Sequence, residues 1–408
     1  MSAIERGTPA PAAVVRLFAE QNDHLRALTG LRGWAALWVC LYHAWTFAKY
    51  PPIELPFAGQ AIDLTPLISI GFAGVSIFFV LSGFLLALPY AEWQAGLRER
   101  PATGRYLLRR VARVFPAYYA QLALLVLLAA WLPWHASIDD WSALWRHLLM
   151  LFVPPPLGTT PINMVWWTLP IEFSFYLALP FLAFLLPMRR WWLLLIGSLF
   201  AMTLWRYGVV TLLADRPMQE RVYASYQLPG SLDTFGLGML TAMLHVNRDR
   251  LPRWLWTRER ADWLGALGLL LILVAIYWLA GARSEYWRDN PIFYCWTPAL
   301  GLGTAALVFS AMNGGRVVEF LFGNRTIVFL GTISYSLYLW HHPLLEWLNS
   351  TSLIHGQGKT RLLMLVAIGV PLTLVVSALS YVLIERPFLR FRSPRYLSAQ
   401  KTMPPNPT

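Results

Sequence analysis

Ile68 to Leu88 reads ISIGFAGVSIFFVLSGFLLAL, about 20 residues without one ionisable side chain, long enough as an α-helix to cross the hydrocarbon core of a bilayer. Runs of this kind recur from Leu31 almost to the C-terminus with short polar gaps between them. The whole composition agrees: of 408 residues, 57% are hydrophobic and 13% charged, against roughly 45–50% and about 25% in soluble domains. Apolar runs bounded by charge and proline place spans near 31–48, 67–89, 114–133, 166–186, 191–213, 229–246, 263–281, 292–312, 327–348 and 361–384. The expected fold is all-α, a polytopic integral membrane protein with about ten transmembrane helices. An outer-membrane barrel is excluded, because these runs show no alternation of apolar and polar residues.

The formal charge of +12 does not point to nucleic acid, since the arginines sit between apolar runs rather than on one amphipathic face. It points to membrane topology. With the N-terminus in the cytoplasm, about three-quarters of the lysines and arginines fall on the cytoplasmic side, and an even number of spans returns the C-terminus there. The expected organisation is a cytoplasmic N-terminal segment 1–30, a transmembrane domain 31–390 and a disordered cytoplasmic tail 391–408. The first 30 residues carry six charged side chains and no continuous apolar core, so a cleavable signal peptide is not expected. Cys40 and Cys295 both lie inside apolar runs and read as packing residues.

Ionisable groups within a span are costly unless paired or facing a cavity, so they are functional candidates by default. His43 lies eleven residues beyond Arg32, roughly 16 Å deeper in the first span. Arg32 can snorkel to the interface and His43 cannot; a buried neutral imidazole bonded to a neighbouring helix is the bland alternative. Glu172, near the start of the fourth span, is expected roughly 9 Å below the outer surface, in the same half as His43, where it can orient the imidazole. Its bland alternative is a structural pair with an intramembrane arginine. In the ninth span Ser334, Tyr338 and His341 share a helical face and suggest a lining of hydroxyls and imidazole, with Ser336 beside them. The adjacent His341 and His342 point about 100° apart and no carboxylate or cysteine completes a ligand set, so no metal is expected.

At the cytoplasmic mouth, Arg105-Tyr106-Leu107-Leu108-Arg109-Arg110-Val111-Ala112-Arg113 puts Arg110 and Arg113 one helical turn apart, suited to bidentate capture of phosphate. Basic juxtamembrane turns also arise from the positive-inside rule or from contact with anionic lipid. Gly74, Ser82 and Gly83 are small residues whose default meaning in lipid is close helix packing, with passage for a thin acyl or pantetheine chain as a secondary reading.

Together these segments resemble the acyltransferase family 3 membrane proteins, a group of bacterial O-antigen, exopolysaccharide and macrolide O-acyltransferases. Six motifs carry the resemblance, in order and over nearly the whole chain: Arg32 with His43, Gly74 to Phe84, Arg110 with Arg113, Trp167 to Tyr176, Gly331 to Pro343, and Glu385-Arg386-Pro387. The resemblance implies that acyl-CoA, acetyl-CoA by default, is used from the cytoplasmic side and that the acceptor is a sugar, exopolysaccharide or lipid-linked glycan. It implies His43 as catalytic base or transient acyl carrier, and Arg32, Arg110 and Arg113, with the adjacent Arg109, as donor-binding residues. His341 aligns with the family histidine; His342 stands where an aromatic residue is usual and receives no role. Some members carry a further hydrolase-like domain, so a partner protein of a polysaccharide pathway is expected to supply its contribution where one is needed. The implied location is the bacterial inner membrane, and the oligomeric state is not set.

On this reading His43, oriented by Glu172, deprotonates the acceptor for direct attack. An acyl-histidine, or an acyl-serine on Ser334 or Ser336, fits the sequence equally well. The rival from another class is a secondary transporter or glycolipid flippase, in which intramembrane His, Glu and Asp233 serve proton coupling.

Overall fold

The structure is a computed structural model and describes residues 25–57, 59–129, 144–151, 161–286 and 290–390. Most of the expected N-terminal segment and the whole expected tail lie outside the described residues. In chain order the elements are α1 (Arg26–Phe47), β1 (Glu54–Phe57), β2 (Gln60–Asp63), α2 (Thr65–Ser69), α3 (Gly74–Gln94), α4 (Thr103–Leu128), α5 (Leu144–Leu148), α6 (Thr168–Leu182) and α7 (Trp191–Leu212). There follow α8 (Met218–Ser225), α9 (Leu232–Val246), α10 (Arg258–Gly281), α11 (Pro291–Met312), α12 (Arg316–Phe322), α13 (Arg325–Thr332), α14 (Ser334–Ser350), α15 (Gly358–Met364), α16 (Val370–Ser380) and α17 (Arg386–Arg390).

Among the described residues seven helical runs are long and apolar enough to cross a membrane: Gly71–Gln94, Thr103–Leu128, Met164–Leu185, Met188–Leu212, Arg258–Gly281, Pro291–Met312 and Gly358–Leu389. The other three expected spans also hold helices, α1, α9 and α14, which are more polar or shorter. These three carry Arg32 and His43, Asp233, and His341 and His342, and they pack against one another's neighbours inside the bundle. A helix surrounded by protein need not present an apolar surface to lipid all round.

Close backbone contacts hold this interior together. A Cβ at Gly83 would lie 2.3 Å from the Phe235 carbonyl oxygen, and one at Gly238 2.1 Å from that of Val80, so α3 and α9 cross where only glycine fits. Similarly, a Cβ at Gly331 would meet the Thr29 carbonyl oxygen at 1.8 Å, and one at Gly33 would meet the Gly331 nitrogen at 2.3 Å, which locks α1 to α13.

The span expected over 327–348 is two helices, α13 and α14, meeting at Ile333 with φ −94° and ψ 7°. Just before the break the Thr332 hydroxyl turns back onto the Val328 carbonyl at 3.0 Å, a bond that competes with the regular ladder. The last run contains two π-helical stretches, Leu365–Gly369 and Tyr381–Glu385. The second delivers Glu385 to the interior, where it is buried.

One element departs from helix: β1 and β2 form an antiparallel hairpin with Glu54 opposite Asp63, exposed along its whole length. Hydrogen bonds from the Thr65 hydroxyl and amide hold the Asp63 carboxyl below the usual carboxylate range. The Tyr277 hydroxyl donates to the Asp63 carbonyl at 3.3 Å. Cys40 is buried as expected for packing, whereas Cys295, expected to pack likewise, is exposed on α11, where an apolar span can turn such a side chain to lipid.

Candidate active site

Pro343 lacks an N–H, so the Leu339 carbonyl one turn earlier has no partner within α14. Two side chains replace it: Gln121 donates to that oxygen at 2.7 Å and Asn163 at 2.9 Å, both buried. The Trp166 indole in turn donates to the Gln121 amide oxygen at 2.9 Å. This network fixes α14 against α4 and the start of α6 at the level of His341 and His342.

There α14 meets α1. His341 Nε2 lies 3.1 Å from His43 Nδ1, while His341 Nδ1 lies 3.0 Å from the Leu337 carbonyl oxygen and His43 Nδ1 lies 3.0 Å from that of Val39. A carbonyl oxygen only accepts, so in the neutral pair the proton of each imidazole is on Nδ1. His341 Nε2 is then a lone pair accepting from His43 Nδ1–H, which it shares with the Val39 carbonyl. That leaves the lone pair of His43 on Nε2, which makes no hydrogen bond among the described residues. The His342 ring stands edge-on to His43 with centroids 5.1 Å apart, and its Nδ1 lies 3.7 Å from Glu346.

Glu172 is not the orienting group for His43. It accepts a hydrogen bond from the Ser82 hydroxyl at 3.0 Å and lines a cavity with Arg32, Arg110, Arg113, Tyr176 and Tyr335. The expected depth counted inward from Trp166 as if that residue stood at the surface. Trp166 and the residues just before it are already buried, and Asn163 bonds α14 halfway along its length. The α6 helix therefore starts inside the protein, and four more residues carry Glu172 to the level of Arg32.

Behind the cavity wall Arg113 lies 3.7 Å from Glu385, and the Glu385 carboxylate accepts from Ser336, which is linked at 3.0 Å to Ser380. Ser336, one of the two candidate acyl-carrying serines, is thus a buried partner of Glu385. Arg110 stacks over Tyr106 with 5.9 Å to the ring centroid. Arg109 is exposed and does not line the cavity, because it points about 100° around α4 from Arg110.

Three cavities follow one another through the bundle. The basic one, about 70 Å³, shares Arg32, Glu172 and Tyr335 with a middle one of about 50 Å³, which Ser334, Phe78 and Phe79 also line. The middle one shares Val75 and Tyr338 with an outer cavity of about 410 Å³ that contains His43 and His342. Tyr338, at the junction, donates to the Val165 carbonyl at 2.7 Å and so accepts from Thr168 at 2.9 Å. Ser334 keeps a buried hydroxyl with no hydrogen-bond partner among the described residues.

His341, although expected to line the site, is fully buried behind His43, and His342 takes the place at the cavity wall. Glu385 stands in the closing motif of the sequence but was given no role there, and its burial follows from a π-helical turn that no periodicity announces. The tyrosines of the outer wall, Tyr42, Tyr223, Tyr226 and Tyr286, come from two helices and two turns and have no shared spacing to reveal them. Among the described residues no three His, Cys, Asp or Glu side chains gather as a metal site.

The acyltransferase MdmB of Streptomyces mycarofaciens is 27% identical over 340 residues, 79% of this chain and 79% of its own. The Komagataeibacter xylinus protein that carries the name membrane-bound transacylase BcsY is 26% identical over 389 residues, 91% of this chain and 85% of its own. A Staphylococcus aureus protein named as an O-acetyltransferase is 24% identical over 344 residues, 78% of this chain and 52% of its own length. No solved structure matches the chain. The family described as acyltransferase domain matches residues 25–382, which hold His43, His341, the arginines of the basic cavity, and six of the seven membrane-length runs with most of the seventh. The chain belongs to that family and is a multi-pass membrane O-acyltransferase.

Proposed function

We propose that this enzyme moves an acyl group, acetyl in the first instance, from cytoplasmic acyl-CoA to a hydroxyl of a sugar or glycan, and that it does so in a bacterial inner membrane. The observation that carries this is the Nε2 lone pair of His43, unbonded among the described residues, in the wall of a roomy cavity that a small cavity separates from a cluster of three arginines. Arg32, Arg110 and Arg113 suit the anionic phosphates of CoA. The small cavity between them, lined by Phe78, Phe79 and Tyr338, suits a thin, flexible pantetheine arm, which would bring the thioester toward His43. The aromatic outer wall suits the apolar faces of sugar rings.

In the proposed step His43 Nε2 accepts the hydroxyl proton as the acceptor oxygen bonds to the acyl carbon. The carbon–sulfur bond then breaks, and the imidazolium returns the proton to the departing thiolate, so the enzyme ends the cycle unchanged. His341 Nε2 accepts from His43 Nδ1 throughout and steadies the positive charge that passes through the ring. Its role is the one the sequence had suggested for Glu172.

The test is transfer of label from radioactive acetyl-CoA to glycan in membranes holding wild type or His43→Ala at matched expression. Wild type should label glycan and the variant should lose about 10²–10⁴-fold. Equal labelling by both would remove His43 from the chemistry, and labelling by neither would remove the donor or the acceptor.

A further inference from the structure

The outer cavity has a wall made for a sugar and a charge of one sign. Tyr42, Trp167, Tyr223, Tyr226 and Tyr286 turn aromatic surface toward it, and Arg283 closes its rim. Among the described residues no aspartate or glutamate lines it. Arg283 forms no ion pair with any described residue and is exposed, although Glu285 is two positions away in the same short turn. An arginine held beside tyrosine hydroxyls, without a carboxylate to neutralise it, is a site for an anion. The volume, about 410 Å³, falls within the roughly 300–1,000 Å³ of ordinary small-molecule sites.

Position decides what kind of anion. His43 and Arg283 line the same cavity from different elements, the half-buried His43 from α1 and the exposed Arg283 from the turn after α10. The basic cluster for the donor is separated from this cavity by the narrow passage at Tyr338, so Arg283 faces the acceptor and not the CoA phosphates.

We infer that the acceptor is an acidic glycan, carrying a carboxylate or a phosphate ester close to the acylated hydroxyl, and that Arg283 selects it. This rests on the proposed function, since it assigns a substrate class to the acceptor side of that site. The charge draws the acceptor into a cavity that is otherwise apolar and aromatic, and orients it so that a neutral hydroxyl, not the acidic group, meets His43.

The test uses the purified full-length chain in lipid nanodiscs with acetyl-CoA, and follows release of free CoA thiol. Methyl glucoside, methyl glucuronide and methyl glucoside 6-phosphate are compared as acceptors for wild type, Arg283→Gln, Arg283→Lys and His43→Ala. Wild type should prefer the two anionic acceptors about tenfold in kcat/KM; Arg283→Gln should bring all three to parity, and Arg283→Lys should keep part of the preference. A preference for one anionic compound over the other separates carboxylate from phosphate ester. No preference in wild type, a preference that survives Arg283→Gln, or failure of all three to accelerate a His43-dependent basal thiol release each overturns the inference while leaving the donor side standing. If no thiol release depends on His43, the proposed function fails and takes this inference with it.

Discussion

At the scale of single residues the chemistry depends on which nitrogen of His43 keeps its lone pair. The Val39 carbonyl and His341 Nε2 both draw on Nδ1–H, so Nε2 is left for the acceptor. Replacing His341 by alanine removes one of these two anchors and the neighbour that accepts from the charged ring. The expected result is a fall of about tenfold in kcat with little change in KM for acetyl-CoA, because His341 touches neither substrate. Steady-state kinetics over a range of pH checks it: a purely structural role would lower the amount of active enzyme and leave the shape of the pH profile unchanged. His43 could be singled out in the sequence because an imidazole about 16 Å beyond Arg32 cannot reach the interface. His341 could be singled out too, as an intramembrane imidazole of the ninth span, but not its pairing with His43, because depth along one helix does not say which neighbour faces it. Glu172 was misjudged for a related reason: the segment before α6 looks like an interface from its two tryptophans, yet Trp166 is buried and bonded to Gln121.

At the scale of elements, small residues set the distance between α1 and α14. Gly33 and Gly331 let α1 and α13 touch at backbone distance, and α14 continues from α13 after the break at Ile333. A methyl group at Gly331 would lie 1.8 Å from the Thr29 carbonyl oxygen, so Gly331→Ala must push α13 from α1 and carry His341 away from His43. The variant is expected to lose about 1–3 kcal/mol of stability and most of its activity. Gly197→Ala, in α7, meets nothing within 4 Å and should be neutral or slightly stabilising. Thermal melting of the two purified variants in one detergent separates them; equal melting temperatures would show that the α1–α13 contact has room to spare. Long apolar runs such as Gly71–Gln94 were plain in the sequence because lipid-facing helices obey a composition rule. The division of 327–348 into α13 and α14 was not, since no proline stands at Ile333, and the features beside the break, the close approach of Gly331 to Thr29 and the Thr332 back-bond, appear only in the packed structure.

At the scale of the whole molecule, the three cavities give the enzyme a direction, and that direction has to match the membrane. The arginine cluster lies at the end of the bundle reached by the turn between α3 and α4, whereas His43 and the outer cavity lie toward the hairpin β1–β2. CoA is a large anion of the cytoplasm, so the proposed donor route requires the α3–α4 turn inside and the hairpin outside, the orientation that the excess of arginine on one side also favours. Two exposed positions report on this: Glu99 in the turn and Gln60 in the hairpin. In a background with Cys40 and Cys295 replaced by alanine, single cysteines at these sites are treated with a membrane-impermeant maleimide in intact spheroplasts and again after lysis. Gln60→Cys should label in both states and Glu99→Cys only after lysis. The reverse pattern would put the arginines on the outside, away from any pool of CoA, and the donor would then have to be an anion of another kind entering from that face.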